Sequence, residues 1–287
     1  MSDEQPEKPT KNYSVLGVSN DSAQHKADLV VTEEPLEIRI VFGPSEKRTM
    51  RNISITMRTP GHDKELAAGF LASESILQTA QQIEAIQVRG VDSQGKSTGN
   101  IVRVELLPDF TLELGRLQRH FFTTSSCGVC GKASLEALAI QGLQPITDDG
   151  FQINWAAIRG LPNSLKQQQE TFHQTGGLHG AGLADSQGHL KLAREDVGRH
   201  NAVDKLIGRM FLDSQTPLTK YAMIVSGRVS FEIMQKALVA GLPVVVAVGA
   251  PSSLAIDMAI EYNITLIGFA SADRFNVYAG GHRVVKE

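Results

Sequence analysis

The chain has 287 residues, of which 41% are hydrophobic and 21% charged, with a formal net charge of −3. That suits a soluble globular protein long enough for one large or two modest domains with real cores. It argues against nucleic-acid or membrane binding driven by net charge, leaves a local basic pocket open, and contains no apolar run long enough to span a bilayer.

The start, "MSDEQPEKPTKNYS", is acidic, polar and proline-containing, with no apolar signal region. Residues 1–28 are therefore expected as a flexible tail, and the protein as cytoplasmic. "DLVVTEEPLEIRIVFG" and "NISITMRTP" have strand composition, and Ile53, Ile55 and Met57 alternate. Leu66, Ala67, Phe70 and Leu71 recur at helical spacing and predict a helix over residues 63–74, with Asp63 as its cap. "IEAIQVRGVDSQGKSTGNIVRVELL" reads as a hairpin turning over residues 93–99. Residues 29–118 then make a small α+β domain.

The character changes in residues 119–287. Residues 132–141 predict a short apolar helix, and residues 154–174 a helix broken near Gly160 and Pro162. "GLHGAGLADSQGHLKLARED" reads as a second hairpin turning over residues 185–188. Asp196 is placed to cap the following helix, where His200, Val203, Leu206, Ile207, Met210 and Phe211 form one stripe. The last third alternates buried strands ("YAMIVSG", "PVVVAVG", "ITLIGFA") with helices over residues 230–240 and 252–261. Near-continuous apolar strands joined by helices imply parallel βαβ units covered on both faces.

In such a sheet, ligands sit outside the carboxyl ends of the strands. Three strands here end in Ser226-Gly227-Arg228, in Gly249-Ala250-Pro251-Ser252-Ser253, and in Phe269-Ala270-Ser271-Ala272-Asp273-Arg274. Parallel strands bring these loops to one edge, where two helix N-termini, several hydroxyls, Arg228 and Arg274 favour an anionic, nucleotide-like ligand. Taken singly, Ser230 and Ser252 are N-caps and the glycines and Pro251 are turn residues. Neither a Walker A sequence nor G-x-G-x-x-G occurs in these strand-to-helix loops, so no motif there names ATP or NAD.

The two cysteines, Cys127 and Cys130, stand in "TTSSCGVCGKASLEAL". At a helix N-terminus, with Lys132 nearby, Cys127 is poised as a thiolate that attacks a disulfide, carries a persulfide or binds metal. Two buried cysteines in a turn are the ordinary alternative. Two cysteines cannot complete a four-cysteine zinc site, and the H-x-E of zinc deaminases is missing, so no zinc is expected.

Together, "TPGHDKELAAGFLASESI", "SSCGVCGK", "TGGLHGAGL", "EDVGRHNAVDKLIGRMF", "SGRVSFEIMQKALVAGLPVVVAVGAPSSLAIDMA" and "ITLIGFASADRFNVY" resemble the FdhD family over residues 30–285. Its members are accessory sulfurtransferases required for active formate dehydrogenases. The resemblance implies a cytidine-deaminase-like three-layer α/β/α domain following the small α+β domain. It implies that sulfur is taken from a cysteine desulfurase as a persulfide on Cys127. That sulfur is passed to the molybdenum cofactor, as Mo-bis-molybdopterin guanine dinucleotide, before the cofactor enters the catalytic subunit of formate dehydrogenase. Cys130 is the second thiol, its role open. Phe269, Ala270, Ser271, Ala272, Asp273 and Arg274 become the cofactor-binding segment, with Ser226, Arg228, Ser252 and His179 as further lining. His179 has an equally ordinary reading as a hydrogen-bonded core histidine, and Asp196 and His200 as a cap and a helix-face residue. Ser75 stands where the family pattern leads one to expect glycine after Glu74. A non-catalytic cofactor-binding chaperone, or more remotely a zinc enzyme, are the competing classes. A homodimer is expected on general grounds, with no nucleic-acid or membrane partner.

Overall fold

The computed structural model describes residues 8–91, 97–108, 110, 142–147 and 150–286. Its first elements correct an expectation. β1 (Thr10–Ser19) and β2 (Ser22–Val31) pair antiparallel from Ser19↔Ser22 out to Thr10↔Val31, so strands replace most of the tail expected over residues 1–28. No side chain in this ribbon is buried and most are exposed, so no core-facing stripe marks it in the sequence. The two-residue Asn20-Asp21 turn and the backbone ladder define it instead.

A four-stranded sheet follows, built from β3 (Glu34–Phe42), β4 (Thr49–Arg58), β5 (Ile83–Val91) and β6 (Ser97–Leu106) in the order β4-β3-β6-β5. Alternate residues Leu36, Ile38 and Ile40, with Val102, Val104 and Leu106, face helix α1 (Asp63–Ser73), which buries Leu66, Ala67 and Leu71 against them. Asp63 does not cap this helix. His62 holds the N-cap position in the left-handed conformation, and the Asp63 carboxylate accepts from Arg58 Nε at 3.0 Å and Nη2 at 3.3 Å. The helix closes with Ser75 N donating to Ala72 O and Ile76 N to Leu71 O, both at 2.9 Å, a Schellman pattern. Ser75 takes φ 57°, the left-handed position that glycine fills without strain.

The larger sheet has six strands: β8 (His179–Ala184), β9 (Leu190–Asp196), β10 (Ala222–Val225), β11 (Val244–Ala247), β12 (Thr265–Gly268) and β13 (Asn276–Ala279). Their order is β13-β12-β11-β10-β8-β9, with β10, β11 and β12 parallel, β8 and β13 antiparallel to them, and β9 antiparallel to β8. Every residue of β10, β11 and β12 is buried because both faces are covered. Helices α4 (Arg199–Leu212), α5 (Phe231–Val239) and α6 (Ser253–Glu261) pack on the face of Met223, Val225, Val245 and Leu266. Helix α2 (Trp155–Gln167) brings Ile158, Leu161 and Leu165 to the face of Ile224, Val244, Val246 and Ile267. The break expected at Gly160 and Pro162 falls later, at Gln168-Gln169, before α3 (Glu170–Thr175). Pro162 removes one backbone hydrogen bond, which burying the apolar stripe on either side of it offsets. A short parallel pair joins β7 (Ile153–Asn154) to β14 (Val284–Val285).

The two sheets are locked through α1 and α4. These helices cross at Gly69 and Gly208: a Cβ on Gly69 would stand 1.8 Å from the Asp204 carbonyl oxygen, and one on Gly208 1.8 Å from that of Glu65. Among the described residues no helix is long and apolar enough to cross a membrane.

Candidate functional site

Sheet topology gathers the loops at one edge. The carboxyl ends of β10, β11 and β12 align, Val225 pairs with Ala181 near the start of β8, His179 pairs with Asp196 at the end of β9, and Gly268 pairs with Asn276 at the start of β13. Backbone hydrogen bonds tie neighbouring loops together: Ser226 N to Gly180 O at 2.9 Å, Gly249 N to Gly227 O at 3.1 Å and Phe269 N to Gly249 O at 3.1 Å. Gly249 is required by this closeness, since a Cβ there would lie 2.9 Å from the Gly227 carbonyl. The N-termini of α4, α5 and α6 open onto the same edge, behind Gly198, Ser230 and Ser252.

The edge therefore combines free backbone N–H groups, fixed partial positive charge and cationic side chains, the chemistry of an anion site. Ser252 caps α6, accepting from Ala255 N at 3.3 Å. Ser230 occupies the cap position of α5 but makes no side-chain cap bond, and its hydroxyl lies 3.3 Å from His200 Nε2. His200 Nε2 is also 3.0 Å from the Glu232 carboxylate, and that hydrogen bond holds Glu232 below the usual carboxylate range. His179 is half-buried. Burial first, then the neighbouring Arg199 and His200, push its imidazole below the ordinary histidine value. Ser226 braces β8 by accepting from Gly180 N at 2.8 Å, while Arg228 is exposed.

The segment Phe269, Ala270, Ser271, Ala272, Asp273 and Arg274 lies at the β12–β13 end. Phe269 has φ 53° and stays 41% exposed, an aromatic ring held out to solvent on a backbone that disfavours it. Ala270 differs from its neighbours: its side chain is core, packed on the α2 face, and its N–H donates to Ala247 O at 3.0 Å. Ser271 N donates to Arg274 O at 2.9 Å, closing a turn on which Ala272, Asp273 and Arg274 are exposed. Beside it Trp155, the only tryptophan, packs edge-on against Phe275 with ring centroids 6.4 Å apart.

Asp196 is no helix cap. It is fully buried; Lys205 Nζ lies 2.7 Å from its carboxylate, which accepts from Thr59 N at 3.1 Å, Gly198 N at 2.8 Å and Asn201 Nδ2 at 3.0 Å. It fixes the start of α4 to the loop after β4. The structure adds Arg199, which the sequence reading passed over: it is the first residue of α4, and its Nε is buried with no hydrogen-bond partner among the described residues. The one sequence signal was a cation at a helix start, where the dipole disfavours it. Cys127 and Cys130, with the helix expected over residues 132–141 and most of the turn expected over residues 93–99, lie outside the described residues.

A separate cavity of about 250 Å³ lies at the opposite ends of α4 and α5, lined by Ala72, Ser73, Leu77, Ile207, Phe211 and Val239. It is lined mainly by apolar side chains with Ser73, Ser75, Gln78 and Thr216 among them, and no cationic side chain lines it. Among the described residues no three His, Cys, Asp or Glu side chains are grouped to hold a metal ion.

Comparison with known proteins agrees with the extent of this architecture. The family model described as FdhD/NarQ family matches residues 31–285. A protein of Streptomyces avermitilis named sulfur carrier protein FdhD is 44% identical over 277 residues, covering 96% of this chain and 95% of the relative. One of the same name from Sulfurisphaera tokodaii is 39% identical over 275 residues, covering 96% of this chain and 99% of the relative. Among solved structures, a protein described as a formate dehydrogenase accessory protein from Desulfotalea psychrophila superposes with a TM-score of 0.71 at 23% identity, covering 97% of this chain and 100% of that one.

Proposed function

Because the chain belongs to the FdhD/NarQ family, we propose that it is a sulfurtransferase serving formate dehydrogenase, with the molybdenum cofactor as the substrate it sulfurates. In this reading Cys127 accepts the terminal sulfur of a cysteine desulfurase's persulfide, and the desulfurase thiolate leaves. The outer sulfur then passes to Mo-bis-molybdopterin guanine dinucleotide, held at the sheet edge: the cofactor supplies the electron pair, the Cys127 thiolate leaves, and the cofactor then enters the catalytic subunit of formate dehydrogenase. Cys130 is the secondary thiol.

The observation that carries this reading is the convergence of five loops and three helix N-termini on one edge. Its cation Arg199 has a buried Nε without a partner among the described residues. Such an edge suits the diphosphates of a guanine dinucleotide, and the exposed Phe269 ring suits its planar base. The binding segment is Phe269 to Arg274, with Ala270 contributing structure; His179, Ser226, Arg228 and Ser252 complete the lining. The names of the relatives, sulfur carrier proteins, support the sulfur chemistry. A central sheet with helices on both faces supports a cytidine-deaminase-like arrangement. The same reading makes the protein a cytoplasmic homodimer.

Intact mass spectrometry after incubation with a cysteine desulfurase and cysteine tests the proposal. The expected result is a gain of one sulfur atom that disappears in Cys127→Ala and remains in Cys130→Ala. No gain on the wild-type chain, together with full formate dehydrogenase activity in cells carrying only Cys127→Ala, favours a binding chaperone with structural cysteines instead.

A further inference from the structure

The pole opposite the loop edge has the reverse electrostatics. At the edge helices begin; around the cavity of about 250 Å³ they end. Ala72 and Ser73 belong to the last turn of α1, Phe211 to the last turn of α4, and Val239 is the last residue of α5. Each helix is closed by a residue in the left-handed conformation: Ser75, Ser214 and Gly241. Their N–H groups turn back to Ala72 O, Phe211 O and Leu238 O, each at 2.9 Å. The negative ends of three helix dipoles therefore meet at this cavity.

Side-chain charge leans the same way. Lys236 Nζ, one turn before the end of α5, stands between two carboxylates, Asp204 at 2.8 Å and Glu74 at 3.7 Å. No charged side chain lines the cavity itself, so a cation placed there meets no repulsion at contact. Ser73 points to a donor. It lines the cavity, is 1% exposed, and its Oγ is buried with no hydrogen-bond partner among the described residues. Burial pushes the Asp204 carboxyl up, and Lys236 and then the nearby Ser73 hydroxyl pull it down. The hydroxyl hydrogen is thus drawn toward that carboxylate without reaching hydrogen-bond geometry. The lone pairs of the oxygen are left to accept, and a ligand that donates to them removes the cost of burying them unmatched.

We propose that this cavity is a binding site for a primary alkylammonium, its apolar chain seated on Leu77, Ile207 and Phe211 and its ammonium donating to Ser73 Oγ among the helix C-termini. At about 30 Å³ for each water-sized volume, a cavity of about 250 Å³ holds about eight non-hydrogen atoms, enough for a short-chain amine. The same field disfavours carboxylates and phosphates, and a neutral alcohol gains only burial of its chain. A bound amine touches α1 beneath the small sheet and α4 and α5 on the large one, and so stabilises the junction between them. The site shares no residue with the loop edge, so either can fail without the other.

Titration calorimetry of the full chain with n-butylammonium chloride, n-butanol and sodium butyrate at matched ionic strength tests the chemistry. The amine is expected to bind at least about tenfold more tightly than the alcohol, the margin of a charged over a neutral hydrogen bond, and butyrate not to bind. Ser73→Ala should remove most of that margin by weakening the amine. Val239→Phe, which fills the cavity from a half-buried position, should abolish binding of both. If Ser73→Ala loses its thermal transition, Val239→Phe and the three-ligand comparison on the wild-type chain still decide. Equal affinity for amine and alcohol, binding of butyrate, an unchanged margin in a folded Ser73→Ala, amine binding kept in a folded Val239→Phe, or no amine binding at all overturns the proposal.

Discussion

The α1–α4 junction and the loop edge of the large sheet both concentrate charge, and they treat it in opposite ways. At the junction the charges answer one another. Arg194 donates to Glu65 through Nε at 2.5 Å and Nη2 at 2.9 Å, Lys205 lies 2.7 Å from Asp196, and Lys236 is 2.8 and 2.9 Å from the two oxygens of Asp204. Two glycines let the helices touch backbone to backbone. At the edge Arg199 has a buried Nε with no hydrogen-bond partner among the described residues, Arg228 and Arg274 stand in solvent, and Phe269 bears backbone strain. A junction closed on itself reads as scaffold. An edge that leaves cations, helix ends and a strained aromatic open reads as a place completed by something else.

The largest expected effect tests the closure of the junction. On Asp204 burial dominates, and its carboxyl sits above the ordinary value. On Lys236 burial works downward, but Asp204 and Glu74 outweigh it and hold the ammonium above its ordinary value. Lys236→Met leaves Asp204 buried without its cation and is expected to cost about 3–5 kcal/mol in urea unfolding. Lys236→Met with Asp204→Leu should recover most of that. A single variant as stable as wild type would make the pair incidental.

A middle-sized effect is set by pH. Burial pushes the Glu65 carboxyl up, but hydrogen bonds from His62 and Arg194 outweigh it and hold it at about 2, below the ordinary 4.5. A carboxylate depressed by folding stabilises above its unfolded pKa and loses that contribution as pH falls through the folded one. Glu65→Gln should therefore cost about 1–2 kcal/mol near neutrality, allowing for solvent screening. The gap from wild type should close as pH falls from about 4.5 toward about 2. A gap that persists at pH 2 would assign the loss to packing.

The smallest effect compares the regions directly, because each holds a non-glycine residue at positive φ: Ser75 at the end of α1 and Phe269 at the edge. Replacing either by glycine relieves strain of about 1 kcal/mol, so thermal midpoints should rise slightly or stay level. Only Phe269→Gly should also weaken guanosine binding. Equal loss of binding in Ser75→Gly would erase the distinction.

The parts of the fold legible in sequence were those whose local pattern and final environment agree. β10, β11 and β12 are continuous apolar runs bounded by glycine or serine, and they are buried on both faces as such runs require. Ser252 caps α6 as its type suggests. What local pattern missed was decided at a distance. Asp63 and Asp196 resemble caps, but Arg58, Lys205 and Thr59 claim their carboxylates once the chain folds back. The β1–β2 ribbon has no buried face to announce it. Candidate loops could be assigned to the ligand edge because parallel strands end together. The burial of the Arg199 Nε, with no hydrogen-bond partner among the described residues, is a property of the assembled corner and not of local pattern. Ala270 shows the limit within a motif: one residue of the binding segment faces the core.

Hydrogen–deuterium exchange of the full chain with and without GDP tests the central claim most directly. The account predicts slowed exchange at the backbone amides of the edge, in residues 179–180, 197–200, 226–230, 249–253 and 268–275, with the interior of α1 and the last two turns of α4 unchanged. Protection appearing instead around the cavity lined by Ser73, Ile207, Phe211 and Val239 would contradict it.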